Sequence, residues 1–298
     1  MSKKLLFIFN PLSGKGQIKN HLVKILDVFV KSGYQVQVHV TQCREDARRV
    51  TEKRAARFDL VVCCGGDGTM NETVSGLMTI PEEKRPVLGY IPAGTTNDFA
   101  KSLRLPREMV KAAGIAVREE GRFTDIGKLG ERFFTYVAGF GAFMDVSYLT
   151  PQDMKNVLGH PAYIMEGIKR LPELKPNHVR VEYEGQVLEE EFLLGMVTNS
   201  ISVAGFKGIT GNSVELDDGL FEVVLIRNPK TPVEFTAVLG ELIQNDSKKH
   251  DFVYRFKTGS IRFISENPLD FVVDGEYGGG HTDITVTICE KALRIIRK

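Results

Sequence analysis

Leu60-Val61-Val62-Cys63-Cys64-Gly65-Gly66-Asp67-Gly68-Thr69-Met70-Asn71-Glu72 decides how this chain is read. An uninterrupted apolar run of this length suits a strand in the middle of a parallel sheet, where both faces are covered. It runs straight into Gly-Gly-Asp-Gly and then into residues that open a helix. Glycines let the backbone approach a phosphate and offer N–H donors without side-chain obstruction. The helix start adds partial positive charge. Asp67 supplies a carboxylate where a Mg²⁺ ion would bridge phosphate oxygens. Taken alone, the segment also reads as a plain strand-to-helix turn.

Two familiar phosphate motifs are absent. Asn10-Pro11-Leu12-Ser13-Gly14-Lys15-Gly16 does not supply G-x-x-x-x-G-K-[ST]. The dinucleotide fingerprint G-x-G-x-x-G, begun at Gly66 and Gly68, meets Asn71 where its last glycine belongs.

Outward from this segment the first half alternates. Lys4–Asn10 reads as a strand. Lys15–Ser32 reads as a helix, with Ile18, Leu22, Ile25 and Phe29 at helical spacing and Gly33 ending it. Gln35–Val40 is a second strand and Arg44–Arg57 a basic helix. Thr69–Met78 is a short helix and Val87–Ile91 a further strand. This rhythm predicts an α/β layer with ligands at the carboxyl ends of its strands. Beyond about residue 120 the pattern becomes short strands: Phe123–Lys128, Glu131–Ala138, His178–Glu184, Gln186–Asn199, Gly219–Arg227, Phe252–Lys257, Ser260–Ser265 and Leu269–Val273. Helical patches interrupt it at Gln152–Leu171 and Pro232–Gln244, and Ile284–Arg297 is again strand-like. The second half therefore reads as a mostly antiparallel domain.

Composition bounds the answer. The chain has 298 residues, 42% hydrophobic and 26% charged, which excludes fibrous and disordered classes. Lys and Arg number 39 against 38 Asp and Glu, so a general polyanion or nucleic-acid binder is not expected. Leu5–Phe9 after Lys3-Lys4 imitates a signal peptide, but it is too short and runs into Asn10-Pro11, so it reads as a strand. No apolar run approaches the roughly 18 residues of a spanning helix. Cys43, Cys63, Cys64 and Cys289 form no C-x-x-C pair and read as reduced thiols of a cytosolic protein. The six histidines show no ligand spacing.

Three further loops fall at the same sheet edge. Asn10–Gly16 offers Ser13, Gly14 and Lys15, and Thr41 follows the second strand. Pro92-Ala93-Gly94-Thr95-Thr96-Asn97-Asp98 follows Val87–Ile91. Separately each has an ordinary explanation as a turn or a helix cap. Asp217-Asp218-Gly219 and Asp274-Gly275-Glu276 read, from spacing alone, as turns, and Asp125 as a lone acid on a strand.

At these residues the chain resembles the diacylglycerol kinase catalytic-domain family, most closely its soluble bacterial members. The matching segments are Asn10-Pro11-x-Ser13-Gly14, Gly65-Gly66-Asp67-Gly68-Thr69-x-Asn71-Glu72, Pro92-x-Gly94-Thr95-x-Asn97-Asp98-Phe99-Ala100, Thr124-Asp125-Ile126-Gly127, Asp217-Asp218-Gly219 and Asp274-Gly275-Glu276, in family order along nearly the whole chain. The resemblance implies two domains of phosphofructokinase/NAD kinase-like type. One is a Rossmann-like α/β nucleotide-binding domain (1–122, with 284–298 returning to it). The other is a larger antiparallel β-sandwich for the lipid substrate (123–283). It implies ATP bound by Asn10, Pro11, Leu12, Ser13, Gly14, Lys15, Thr41, Gly66, Asp67, Gly68, Thr69, Met70, Asn71, Glu72, Thr95 and Asn97. It implies a catalytic Mg²⁺ reached through water by Asp67, Asp98 and Asp125. Glu276 would be the general base. Asp218 would hold a second, structural Mg²⁺, with Glu215 and Leu220 contributing there by backbone carbonyls.

The expected reaction is phosphorylation of diacylglycerol to phosphatidic acid by a cytoplasmic homodimer working at the inner membrane surface. Another lipid acceptor (a sphingoid base, monoacylglycerol or phosphatidylglycerol), an NAD kinase and a non-catalytic nucleotide sensor are the alternatives. Two basic clusters are candidates for anionic lipid: Arg44, Arg48, Arg49, Lys53, Arg54 and Arg57, and Lys155, Lys169, Arg170 and Lys175. Each also reads as a solvated face. Two positions depart from the family pattern: Lys101 stands where arginine is frequent, and Ala204-Gly205 lies in the Val203–Gly208 loop.

Overall fold

The computed structural model describes residues 3–118, 120–141, 175–203, 206–207, 214–244 and 252–298. The Gln152–Leu171 helical patch, Lys155, Lys169, Arg170 and the Ala204-Gly205 departure lie outside them.

The N-terminal domain is an α/β layer. Its strands β1 (Lys3–Phe9), β2 (Tyr34–Val40), β3 (Leu60–Gly65) and β4 (Val87–Pro92) run parallel in the order β4-β3-β1-β2. Strand periodicity sends alternate residues to opposite faces. Leu6, Ile8, Val61 and Cys63 pack on one side with Ala47 and Val50 of helix α2 (Asp46–Arg54) and Met70, Val74 and Leu77 of α3 (Asp67–Met78). Leu5, Phe7, Phe9, Val62 and Cys64 pack on the other with Ile18, Ile25 and Phe29 of α1 (Ile18–Lys31). The cysteines are free, and burial pushes the Cys63 thiol up to about 12, so it is an inert core group.

One helix starts later than expected, and two helices were not expected. α1 starts at Ile18 rather than Lys15, because Gly14, Lys15 and Gly16 all have positive φ and form a short 3₁₀ turn instead. α4 (Asp98–Ser102) and α5 (Met109–Ala116) are too short to show a helical period in sequence. α5 nonetheless buries Met109, Ala112, Ala113 and Ala116 against the α1 side of the sheet.

The C-terminal domain is a β-sandwich of β5 (Arg122–Leu129), β6 (Arg132–Phe134), β7 (Val137–Gly141), β8 (Asn177–Tyr183), β9 (Gln186–Thr198), β12 (Phe221–Arg227), β13 (Val253–Thr258), β14 (Ser260–Val273) and β15 (Glu276–Ile295). The small hairpin of β10 (Ser202–Val203) and β11 (Phe206–Lys207) stands apart, and helix α6 (Pro232–Gln244) follows β12. Phe140, Phe192, Phe221, Phe263 and Phe271 fill the core. β9 and β14 each change partners along their length. β9 pairs β8 with its first half and β7 and β12 with its second. β14 pairs β8 before, and β7 after, an irregularity between Ile264 and Leu269. The sequence separates Ser260–Ser265 from Leu269–Val273 because Pro268 cannot donate to a ladder; the fold absorbs it as a break inside one strand. Conversely, Glu131–Ala138 is two strands, since Thr135 and Tyr136 turn their N–H groups to a buried carboxylate.

β15 joins the halves. It runs antiparallel to β14 and β5, and its end pairs parallel with β4 through Ile295 and Leu88. One 13-stranded hydrogen-bonded sheet results. Among the described residues no helix is long and apolar enough to cross a membrane.

Candidate active site

The four parallel strands deliver four loops to one edge. Past the strand ends the ladder continues: Asn10 N–H donates to Cys64 O (3.0 Å), Thr41 N–H to Phe9 O (3.0 Å) and Ala93 N–H to Gly65 O (2.7 Å). Asn10 folds its own loop by accepting from Leu12 N–H (2.9 Å) and reaches Thr69 Oγ1 at 3.4 Å. The loops touch so closely that only glycine fits at the seams. A Cβ on Gly14 would stand 1.9 Å from the Ala93 carbonyl oxygen, and one on Gly94 would stand 2.7 Å from Gly66 Cα. Lys15 holds a left-handed backbone and an exposed side chain beside this seam. Such strain is retained where surrounding structure over-determines it, commonly at ligand sites. Pro11, Leu12 and Ser13 complete this loop, and Thr95 is exposed on the facing one. Asn97, at φ +50°, uses its amide on both the N–H and the carbonyl of Gly94 (2.9 and 2.6 Å). α3 begins at Asp67 with Gly66 as N-cap and no side chain on its first N–H groups. Those donors face the crevice as an anion cradle.

Behind the cradle lies an acidic cluster. Asp67 accepts from Asp98 N–H (3.2 Å) and Phe99 N–H (3.4 Å), which opens α4. Burial pushes the Asp67 carboxyl up to about 6, and the charges of Asp98 and Asp274 add to the push. Asp98 accepts from Ser202 Oγ (2.7 Å) and from Lys101 Nζ (2.8 Å), so the lysine in the usual arginine position pairs with Asp98 within α4 and reaches across the domain junction only to Ser202 Oγ (3.3 Å). Asp274 takes five donors: Thr135 N–H and Oγ1, Tyr136 N–H, Val137 N–H and the Asn71 amide. Those bonds fix the hairpin between β14 and β15, whose two loop residues, Asp274 and Gly275, both have positive φ as a type I′ turn demands. Glu276 is the first residue after that turn. Its Oε1 lies 3.6 Å from where a Cβ on Gly68 would stand, so the second domain's carboxylate hangs at the phosphate loop. Its Oε2 accepts from Arg44 Nη2 at 2.6 Å, with Arg132 Nη2 at 3.9 Å.

Some expected residues have other tasks. Met70 is core, and its N–H bonds Gly66 O, so no polar donor of Met70 reaches the crevice. Glu72 accepts from Glu45 N–H (2.8 Å) and Ala47 N–H (3.1 Å), bracing the start of α2. Asn71 braces Asp274 and Phe133 O. Asp125 is not bonded into the Asp67 group. It accepts from Gly219 N–H (2.8 Å) and Lys291 N–H (2.6 Å), and its acidic neighbours are Asp218 and Glu290. Asp274 fills the third place in the cluster. Its Asp-Gly dipeptide reads as a turn in sequence, but its five donors come from residues more than a hundred positions away.

Fit to metal differs between the two acidic regions. Among the described residues no three Asp, Glu, His or Cys side chains converge on one point. Mg²⁺ does not need that, since it keeps waters and uses one or two carboxylates plus substrate phosphates. Asp67, half-buried, and Asp98, buried, lie beside the anion cradle and suit such an ion. Asp218 does not fit a metal in this arrangement. Its Oδ1 accepts from Leu220 N–H (3.1 Å) and its Oδ2 holds Lys257 Nζ (2.9 Å), which also meets Glu222 at 3.1 Å. Lys257 already supplies the positive charge there. Glu215 is exposed, and its expected contribution is a backbone carbonyl rather than its carboxylate.

Fold and site together define a two-domain kinase class: an α/β phosphate-binding domain joined to a β-sandwich of NAD-kinase type. Residues 4–129 match the model of the diacylglycerol kinase catalytic domain. Residues 138–297 match that of the YegS C-terminal NAD kinase beta sandwich-like domain. The chain is 36% identical to a Bacillus subtilis diacylglycerol kinase, over 93% of this chain and 91% of that protein. It is 35% identical to the Staphylococcus carnosus enzyme, over 94% and 90%. A crystal structure of a Bacillus anthracis diacylglycerol kinase superposes with a TM-score of 0.78 at 25% identity, covering 100% of this chain and 97% of that one. The chain belongs to the diacylglycerol kinase catalytic-domain family.

Proposed function

We propose that the protein transfers the γ-phosphoryl group of ATP to the free hydroxyl of diacylglycerol, giving phosphatidic acid. The observation that carries this is the position of Glu276: a hairpin pinned by Asp274 sets a second-domain carboxylate against Gly68 of the phosphate loop. Phosphoryl transfer asks a protein mainly for positioning and for neutralised charge. The N–H groups at the start of α3 and the Asn10–Gly16 loop hold the phosphates, with Lys15 beside them. Bound Mg²⁺, held through Asp67 and Asp98, supplies charge neutralisation on the phosphate oxygens. The lipid hydroxyl attacks the γ-phosphorus as Glu276 takes its proton, and the bond to the β-phosphate oxygen breaks to release ADP.

The experiment is transfer of labelled γ-phosphate, with Mg²⁺, to vesicles containing diacylglycerol, with sphingosine, monoacylglycerol, phosphatidylglycerol and NAD in parallel. Labelled phosphatidic acid is expected. Label only on another acceptor would replace the substrate and keep the site. Label on none would remove the kinase reading.

A further inference from the structure

Glu276 carries two arginines, and they are built differently. Arg132, on β6, has its Nη1 bonded to the Tyr277 carbonyl, so it is tied to the hairpin it serves. Arg44 comes from the other domain and makes the shorter contact, 2.6 Å, with a side chain that is 69% exposed. Its backbone is fixed on both sides. Thr41 N–H bonds Phe9 O before it, and Glu45 N–H and Ala47 N–H bond the Glu72 carboxylate after it. The loop therefore cannot travel, while the guanidinium can. Its anchor follows β2 by a few residues, at the sheet edge where the phosphate cradle opens, and Glu276 Oε1 borders Gly68 of that cradle.

We propose that Arg44 is a γ-phosphate-responsive arginine: it caps Glu276 in the empty enzyme and moves to the γ-phosphoryl oxygens when ATP binds, releasing the carboxylate to accept the lipid proton. The role of Glu276 in this rests on the function proposed above. The driving force is the exchange of a single carboxylate contact for the bidentate charge-assisted pairing a guanidinium makes with phosphate. Arg132 stays with Glu276 and keeps it oriented. The exchange makes no covalent bond and moves no proton. It links base availability to the presence of the group to be transferred, so a lipid bound without ATP meets a masked base. ADP lacks the γ-phosphate and leaves the cap in place.

The Glu276 carboxylate and the γ-phosphoryl oxygens compete for one guanidinium, which gives signs a merely structural role would not produce. Binding of ADP and of a non-hydrolysable ATP analogue is measured by calorimetry on the full chain with Mg²⁺. Arg44→Ala is expected to weaken the ATP analogue about tenfold, the scale of one lost charge-assisted pair, and to leave ADP unchanged. Arg44→Lys is expected to recover part of that loss. Glu276→Gln is expected to tighten the ATP analogue several-fold, because the competitor for Arg44 is gone, and the double variant should match Arg44→Ala. Equal changes for both nucleotides, or none, in Arg44→Ala overturn the proposal. Glu276→Gln turnover separates the two readings. If it retains kcat while the ATP-selective loss in Arg44→Ala stands, the base assignment fails and the phosphate role of Arg44 survives. If kcat collapses while Arg44→Ala binds both nucleotides normally, the base survives and Arg44 is an ordinary surface pair.

Discussion

Two groups of buried acids in this molecule are neutralised in different ways. Asp67, Asp98 and Asp274 stand behind the phosphate cradle, where backbone N–H groups solvate Asp67 and Asp274 while the side chains of Ser202 and Lys101 meet Asp98. Asp218 and Glu222 stand in the sandwich, where Lys257 places one ammonium between them. The first group keeps an excess of negative charge next to a built anion site, and Asp67 answers by rising to about 6. That combination can be satisfied by a cation arriving with a phosphate substrate. In the second group burial raises Glu222 to about 7, while the ammonium beside it pulls the other way. The difference separates a ligand site from a joint that holds a loop, although in sequence both read as acids on a strand or turn.

The strongest test of this contrast is Asp67→Asn. Turnover should fall by 10²-fold or more, the scale of losing one preorganised electrostatic group. The nucleotide-free protein should melt at the same temperature or higher, because asparagine still caps α4 without a buried charge. A fall in both together would make Asp67 a structural acid. Lys257→Met should do the reverse. Leaving Asp218 and Glu222 unpaired costs about 3 kcal/mol of stability, read by urea titration, with kcat per folded molecule unchanged. In wild type the same midpoint should ignore a chelator, and a chelator-sensitive midpoint would restore a metal at Asp218.

The next effect is smaller and depends on pH. Between the ordinary aspartate value of 3.8 and about 6 the native Asp67 keeps a proton that the unfolded chain releases. Stability of the nucleotide-free protein should therefore fall as pH rises through that window, by on the order of 2 kcal/mol. Asp67→Asn should flatten the slope, and an unchanged slope would assign it to other acids. The smallest effect is Asn71→Ala. Asp274 loses one of five donors, worth about 1 kcal/mol of stability. Turnover should drop with it if the hairpin aims Glu276, while an unchanged rate would free Glu276 from that support.

Much of this was readable one residue at a time. The apolar run Leu60–Cys64 announced a central parallel strand, and Gly65-Gly66-Asp67-Gly68 announced a phosphate turn, because both signals are local: strand burial shows as continuous hydrophobicity, and glycine marks backbone that must approach something. The loop at Asn10–Gly16 and the one at Gly94–Asn97 were placed at the same edge for the same reason. What failed locally failed for a nonlocal cause. Thr135 and Tyr136 break a strand because Asp274 sits opposite them. Pro268 does not end a strand because β15 carries the ladder past it. α4 stands where Asp67 supplies its N-terminal acceptor from another helix.

By itself, then, the amino-acid order determined the parallel layer, the phosphate-binding edge and the presence of acids along the chain, since each depends on side-chain period or on glycine within a few residues. Only the tertiary structure decided which acids meet, that Asp274 rather than Asp125 joins Asp67, that Lys257 faces Asp218, and that Arg44 faces Glu276 across 232 positions. Charge pairing is a matter of distance in space, and sheet topology, rather than sequence separation, sets that distance.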